Sequence, residues 1–322
     1  MNAPWQPTAG FEALRQRAAV LASVRRFFDE RGVIEVETPV MGAATVTDPM
    51  LAPIAVDSRG LEGSLASRFW LQTSPEYPMK RLLTAGSGAI YQIARVFRRG
   101  ERGPLHNPEF SLLEWYRPGF GYADLIDEIG ELLALVLPQR PVVVQSYAQL
   151  FVEQLGIDPL IASDLELRAV ADRHGVDVPA GLDFDAMLDL LMGTLIAPRL
   201  GRDCWFFVSH FPASQAALAR LSPDDERTAE RFECFIDGIE VANGFRELVD
   251  AAEQRRRFEA DRTRRRERGE PEPPEADERL LAALEAGMPE CSGVALGLDR
   301  LLMIALGAQA IDEVIAFPVE RA

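Results

Sequence analysis

Between Arg231 and Asp250 the chain reads RFECFIDGIEVANGFRELVD, and its acids are spaced for chemistry rather than for packing. Polar and apolar residues alternate up to Asp237-Gly238 and alternate again beyond it, which predicts two strands joined by a two-residue turn whose residues need positive φ. In that register Ile236 faces Ile239 and Phe235 faces Glu240. Glu233 and Glu240 then project from one face of neighbouring strands, a diagonal step apart, where two carboxylates repel unless a cation lies between them. Asn243, Phe245 and Glu247 continue the second strand with an amide, a ring and a third acid, a set suited to a small charged molecule. A hairpin with one wet face would explain any one of these acids; together with the asparagine they favour a site.

Two further stretches carry candidate chemistry. In TSPEYPMKR, Ser74 is a helix cap, Pro75 occupies the first turn and Glu76 sits at the helix N-terminus, where the dipole favours a carboxylate. Capping alone accounts for Glu76, and an acid placed to receive an amine is the functional alternative. In EFSLLEWY, period-two alternation sets Phe110, Leu112, Glu114 and Tyr116 on one face, so a carboxylate and a phenol stand among core residues. A buried carboxylate without a cation is costly and invites an ammonium from the protein or a ligand. Arg98, before the loop RGERGPLHNP, and Arg300, in GLDR, bring planar and permanently charged forks suited to phosphate. Each alone is weak; as a pair they suggest two cations bracketing a polyphosphate.

The elements that must position these residues follow in order. Phe11–Arg31 is predicted as an amphipathic helix ended by Gly32, and GVIEVETPVM as a short edge strand stopped at Thr38-Pro39. Phe69–Thr73 is a strand, and Ala89–Arg98 with Glu109–Tyr116 form a long hairpin. Four helical stretches occupy about 122–200, followed by a buried strand over Cys204–His210 and a loop from Phe211. Ala251–Arg268 carries eight arginines among acids, the pattern of a solvated, salt-bridge-laced helix. A strand containing Gly293 and Gly297 delivers Asp299 and Arg300 at its end. Leu51–Arg68 and GEPEPPEAD are turn-rich connections.

Composition limits the function classes. The 322 residues are 48% hydrophobic, enough for a sizeable core, and the formal charge of −16 opposes binding to a phosphate backbone. There is no apolar run of membrane-spanning length and no signal-type start, which sets the expectation of a cytoplasmic protein. Cys204, Cys234 and Cys291 lack disulfide or zinc spacing and read as core residues.

These stretches together resemble a class II aminoacyl-tRNA synthetase catalytic core of the lysine type, and most closely the elongation factor P lysine ligase family. GVIEVETPVM looks like motif 1, VFR with HNPEF like motif 2 and GVALGLDR like motif 3, while TSPEYPMKR, LLEWY and GIEVANGFREL match the lysine-type signatures. The resemblance implies an α+β fold, an antiparallel sheet flanked by helices, as one catalytic domain over residues 1–322 with a helical insertion at about 122–200 and no anticodon-binding domain. It implies ATP as co-substrate, with Arg98 and Arg300 catalytic on its phosphates and Arg99, Gly100, Glu101, Asn107, Glu240, Val241 and Gly297 along the nucleotide. Mg2+ would lie on Glu233 and Glu240. Ser74, Pro75, Glu76, Glu114, Tyr116, Asn243, Phe245, Glu247 and Ala295 would surround lysine or (R)-β-lysine. The acceptor would be a lysine of elongation factor P and the assembly a homodimer.

The chain departs from the family pattern at Gly100, where an acid is usual and Glu101 comes one residue later, and at Ala295, where lysyl-tRNA synthetases carry glycine. A methyl group at Ala295 reshapes the floor of the amino-acid pocket and favours a β-amino acid. Convergence of Glu240 with Asn243 and Glu247 requires a β-bulge, expected near Ala242–Gly244. Motif 1 lies about thirty residues from the first residue, and with the acidic charge this makes transfer RNA an unexpected acceptor. The alternatives are adenylation of α-lysine for transfer RNA or a small amine, and a non-catalytic regulatory paralogue.

Overall fold

A residue's position along a strand decides which face it serves, and in this computed structural model, which describes residues 3–57, 68–270 and 274–322, that rule sorts the core from the chemistry. Most of one turn-rich connection and the centre of GEPEPPEAD lie outside the described residues. The chain forms two units, Met1–Phe120 with Val249–Ala322 and Gly121–Leu248.

In the first unit the strand order is Ile34–Glu35, Ile90–Phe97, Glu109–Pro118 and Cys291–Gly297, antiparallel except for the parallel edge pair. Tyr91 pairs with Trp115 across the hairpin, and the helix Phe11–Asp29 lays Phe28 on them, stacked on Tyr91 at 4.4 Å and edge-on to Trp115 at 5.4 Å. The opposite face carries Gln92, Glu114 and Ala295 in one cross-strand row. Buried Asp299 ties three elements together. It accepts from Arg17 of the first helix at 2.5 Å and from the Ser111 backbone N–H at 2.7 Å, while Arg17 also donates to the Ser111 hydroxyl at 2.6 Å. Asp299 and Arg300 lie in the first turn of the helix Leu298–Leu306 rather than at the strand end, because pairing stops at Gly297, where that helix begins.

The motif 1 stretch is shorter as a strand than expected. It pairs only at Ile34–Glu35, and Met41–Gly42 joins a separate small sheet with Phe69–Leu71 and Ile54–Val56. The arginine-rich helix Ala251–Glu267 is laced with ion pairs, such as Arg257 to Glu253 at 2.7 Å and Arg264 to Asp261 at 2.8 Å. Its Arg265 is buried instead of solvated, donating to the carbonyls of Thr47, Asp48 and Leu51 and so pinning that loop.

The second unit orders its strands Ile239–Arg246, Thr228–Ile236, Trp205–Pro212 and Val142–Ser146. The last is a strand inside the stretch read as helical. It pairs parallel with Trp205–Pro212, and its three β-branched valines after Pro141 suit extended backbone. The strand expected to end at His210 continues through Pro212 after a register shift between Ser209 and Phe211. The helices Tyr147–Leu155, Asp164–Arg173 and Phe184–Leu191 share one apolar core with Val208, Phe211 and Phe235. Among the described residues no helix is long and apolar enough to cross a membrane.

Asp237 and Gly238 adopt φ of 50° and 80°, the left-handed pair demanded by a two-residue hairpin. Arg140 donates to the Asp237 carboxylate at 2.9 and 3.2 Å and to the carbonyls of Gly201 and Arg202, which seats the turn. Gly201 has φ of +70°, and a Cβ there would run into the Phe235 carbonyl. Gly201→Ala is therefore expected to cost at least about 2 kcal/mol of stability, read as a lower urea midpoint with an unchanged slope.

Candidate active site

In the first unit the acids expected to receive amines are brought together. Ser74 sits just before the helix Glu76–Thr84, where its Oγ accepts the Glu76 backbone N–H at 3.0 Å and donates to Glu114 Oε1 at 2.6 Å. Pro75 begins the turn between them. The Tyr116 hydroxyl donates to Glu114 Oε2 at 3.2 Å, and Ala295 lies directly across the strand from Glu114. Glu114 is 1% exposed, and burial first, then the Glu76 charge, pushes its carboxyl up to about 8; the Ser74 and Tyr116 bonds and Arg98 oppose the shift. A cation is present as well, but on the other acid: Lys80 Nζ lies 2.6 Å from Glu76 Oε1. Lys80 escaped sequence reading, although its i,i+4 spacing from Glu76 on a helix was the available signal.

The motif 2 loop positions the arginines. Arg98 begins it with its backbone N–H on the Pro108 carbonyl at 2.9 Å, its guanidinium 5.0 Å over the Phe110 ring and 3.7 Å from Glu101. Glu101, not Gly100, is thus the acid beside Arg98; Gly100 takes φ of 82° and makes the turn. The Arg99 N–H bonds the Ala52 carbonyl. The tip closes as a Gly103–His106 bridge, and Arg102 fastens it to Asp312 at 2.9 Å and Glu320 at 2.6 Å. His106 Nε2 meets Arg300 Nη2 at 2.6 Å, so the motif 3 arginine docks on the motif 2 loop. Asn107, expected along the nucleotide, is buried. Its amide donates to the Glu109 carbonyl at 2.7 Å and accepts the Val319 N–H at 3.1 Å, the demands of a buried amide at a loop end.

In the second unit the hairpin register is Ile239 to Ile236 and Glu240 to Phe235, then Ala242 to Cys234 and Asn243 to Glu233. The bulge lies at Val241, one residue before the expected Ala242–Gly244. It restores phase: with Val241 unpaired and buried, Glu240 and Asn243 both join the face of Glu233 and Phe235. Phe245 pairs opposite Arg231 and packs on Ala216, Ala219 and Ala229, while buried Glu247 follows the strand and bridges Ala219. Burial raises the Glu233 carboxyl; Arg231 opposes this and Glu240 adds to it. Arg231, two residues along the same face, donates to Glu233 Oε1 at 2.6 Å and to the Gln215 carbonyl at 2.6 Å, with its guanidinium over Phe211. It too was missed, though period two put it beside Glu233. Among the described residues no group of three or more His, Cys, Asp or Glu could hold a metal by itself.

The family model described as tRNA synthetases class II (D, K and N) matches residues 8–321. Curated relatives named elongation factor P--(R)-beta-lysine ligase include one from Klebsiella pneumoniae, 52% identical over 323 residues covering 100% of this chain and 99% of the relative. Those from Erwinia tasmaniensis and Proteus mirabilis are each 52% identical over 322 residues, covering 99% of both chains.

Glu114 makes stability depend on pH in a definite direction. Its folded-state carboxyl titrates at about 8, far above an unfolded glutamate at about 4.3, so the folded chain holds the extra proton between them and stability falls as pH rises through that window. Glu114→Gln cannot lose the proton. Its stability relative to the parent is expected to grow by roughly 3 kcal/mol from pH 5 to pH 8 and then level off, measured by urea unfolding at each pH.

Proposed function

Since the chain belongs to the class II tRNA synthetases of the D, K and N group, we propose that it performs their adenylation chemistry for a protein acceptor. It activates (R)-β-lysine, or lysine, with ATP and transfers it to a lysine ε-amine of elongation factor P in the cytoplasm. Full-length likeness at 52% identity to a protein named for that ligation carries this conclusion.

In the first step the substrate carboxylate attacks the α-phosphorus of ATP; an aminoacyl-adenylate forms and pyrophosphate leaves. Two anions must approach, so the enzyme's task is charge neutralisation and alignment rather than supply of a nucleophile. Arg98 and Arg300 serve the α- and γ-phosphates. Glu101 beside Arg98 takes the adenine contact left open at Gly100, and Arg99, Val241 and Gly297 offer backbone along the nucleotide. Glu76 receives the inner amine, Glu114 and Tyr116 the distal ammonium, and Asn243, Phe245 and Glu247 keep the roles that the lysine-type signature gives them.

Glu233 and Glu240 suit Mg2+. These two carboxylates share one face of neighbouring strands, hard oxygen donors that would hold such an ion. When bound, Mg2+ offsets the charge of the triphosphate. In the second step the deprotonated ε-amine attacks the carbonyl carbon of the mixed anhydride, an amide forms and AMP leaves. A symmetric dimer would cover Phe11 of the first helix and Ile34 and Val40 of motif 1, which are 72%, 54% and 44% exposed.

Incubating elongation factor P with the enzyme, ATP, Mg2+ and each lysine isomer is expected to add one lysyl mass, with (R)-β-lysine favoured. Charging of transfer RNA with α-lysine and no change in the mass of elongation factor P would overturn the assignment. Arg300→Ala and Glu240→Gln should each lower ATP–pyrophosphate exchange by at least about 100-fold while the circular dichroism spectrum is retained.

A further inference from the structure

Lys80 is unassigned in the chemistry above, yet it is among the most deeply buried charges of the chain, with 1% exposure. An ammonium so placed is costly unless paired, and its carboxylate is Glu76, one helical turn back. The second amine-receiving acid is treated differently. Glu114 has its two oxygens against the hydroxyls of Ser74 and Tyr116, which donate to the carboxylate and of which one can accept from the protonated acid, and among the described residues it has no carboxylate–cation pair within the distance that Lys80 keeps from Glu76. Facing Glu114, helix Glu76–Thr84 brings Glu76, on which Lys80 lies; its own strand brings Tyr116; strand Ile90–Phe97 sets Gln92 opposite, with Arg98 past its end; strand Cys291–Gly297 contributes uncharged Ala295.

Resting on the ligase assignment, we propose that Lys80 is a positioning residue that neutralises Glu76, leaving Glu114 to hold a proton until the distal ammonium of a diamino substrate arrives and expels it. The Glu114 O–H breaks, its proton goes to solvent, and the carboxylate left behind pairs with the incoming ammonium. A substrate lacking the distal amine has nothing to offset that ionisation, so proton release doubles as selection for diamines. Burial and the Glu76 charge raise the Glu114 carboxyl against the opposing pull of the two hydroxyls and Arg98.

Calorimetric titration of the full-length enzyme with (R)-β-lysine and with α-lysine, in phosphate and in Tris, reads the proton count from the difference in apparent enthalpy. The expected release is close to one proton at pH 6.5 and about half a proton at pH 8, with affinity strengthening about tenfold per pH unit below pH 7.5. Glu114→Gln should bind more weakly and release almost none. Lys80→Met leaves one cation fewer against the same acids, and its count should exceed one. Equal enthalpies in both buffers for a parent enzyme that binds substrate would overturn this proposal alone, as would full release from Glu114→Gln. Binding of no diamino acid would overturn the ligase assignment and this proposal together. The parent and Glu114→Gln counts decide the matter even if Lys80→Met fails to fold.

Discussion

Taking a carboxylate out of water is the constraint on which this structure turns, because an isolated buried anion costs several kcal/mol after relaxation, as an order of magnitude. The fold meets that cost in three ways. Asp299 is fully answered, by the Arg17 guanidinium and a backbone N–H, and it accordingly joins three elements as a fixed post. Glu233 is answered by Arg231 on one oxygen and opposed by Glu240. At Glu114 burial and the neighbouring Glu76 push the proton affinity up, and the Ser74 and Tyr116 hydroxyls oppose them only in part. Saturated acids hold the scaffold, and less completely compensated ones lie where the family motifs put chemistry.

Such grading needs a backbone that separates faces cleanly. In the hairpin Ile90–Phe97 to Glu109–Pro118, odd positions such as Tyr91 and Trp115 take the first helix, and even positions such as Gln92, Glu114 and Tyr116 take polar work. No irregularity is required there. The hairpin Thr228–Ile236 to Ile239–Arg246 cannot do the same with regular alternation, since Glu240 and Asn243 differ by an odd number of positions. One unpaired residue, Val241, corrects the phase, and its apolar side chain is buried. The turn beyond it is held by Arg140 and by the close approach of Gly201, so the register has a fixed end from which to count.

Much of this was legible in the sequence, for reasons that can be stated. The hairpins followed from period two and from Asp237-Gly238, the first helix from its apolar spacing, and the three ordered motifs from their residues. The bulge was legible as a necessity but not in position, because Val241 and Ala242 are both apolar and either could be left unpaired. Val142–Ser146 was missed because a short β-branched run flanked by helical stretches carries no period of its own. Lys80 and Arg231 were missed for a shared reason: a lone cation in sequence reads as solvated, and only tertiary burial shows that it answers an acid on the same element.

Arginines show the same economy. Arg140, Arg102 and Arg265 have their forks filled by carboxylates or carbonyls within hydrogen-bond distance, which suits groups that hold loops and turns. Arg98 does not. Its nearest acid stands at 3.7 Å, beyond hydrogen-bond range, its Nε is buried without a partner, and its orientation is set by the Phe110 ring and by its own backbone bond to Pro108. In a chain with a formal charge of −16, acids to quench a guanidinium are abundant, so one oriented by a ring keeps donors for the phosphate that the function proposed above assigns to it. The contact with the Phe110 ring and the longer ion pair to Glu101 keep that fork oriented.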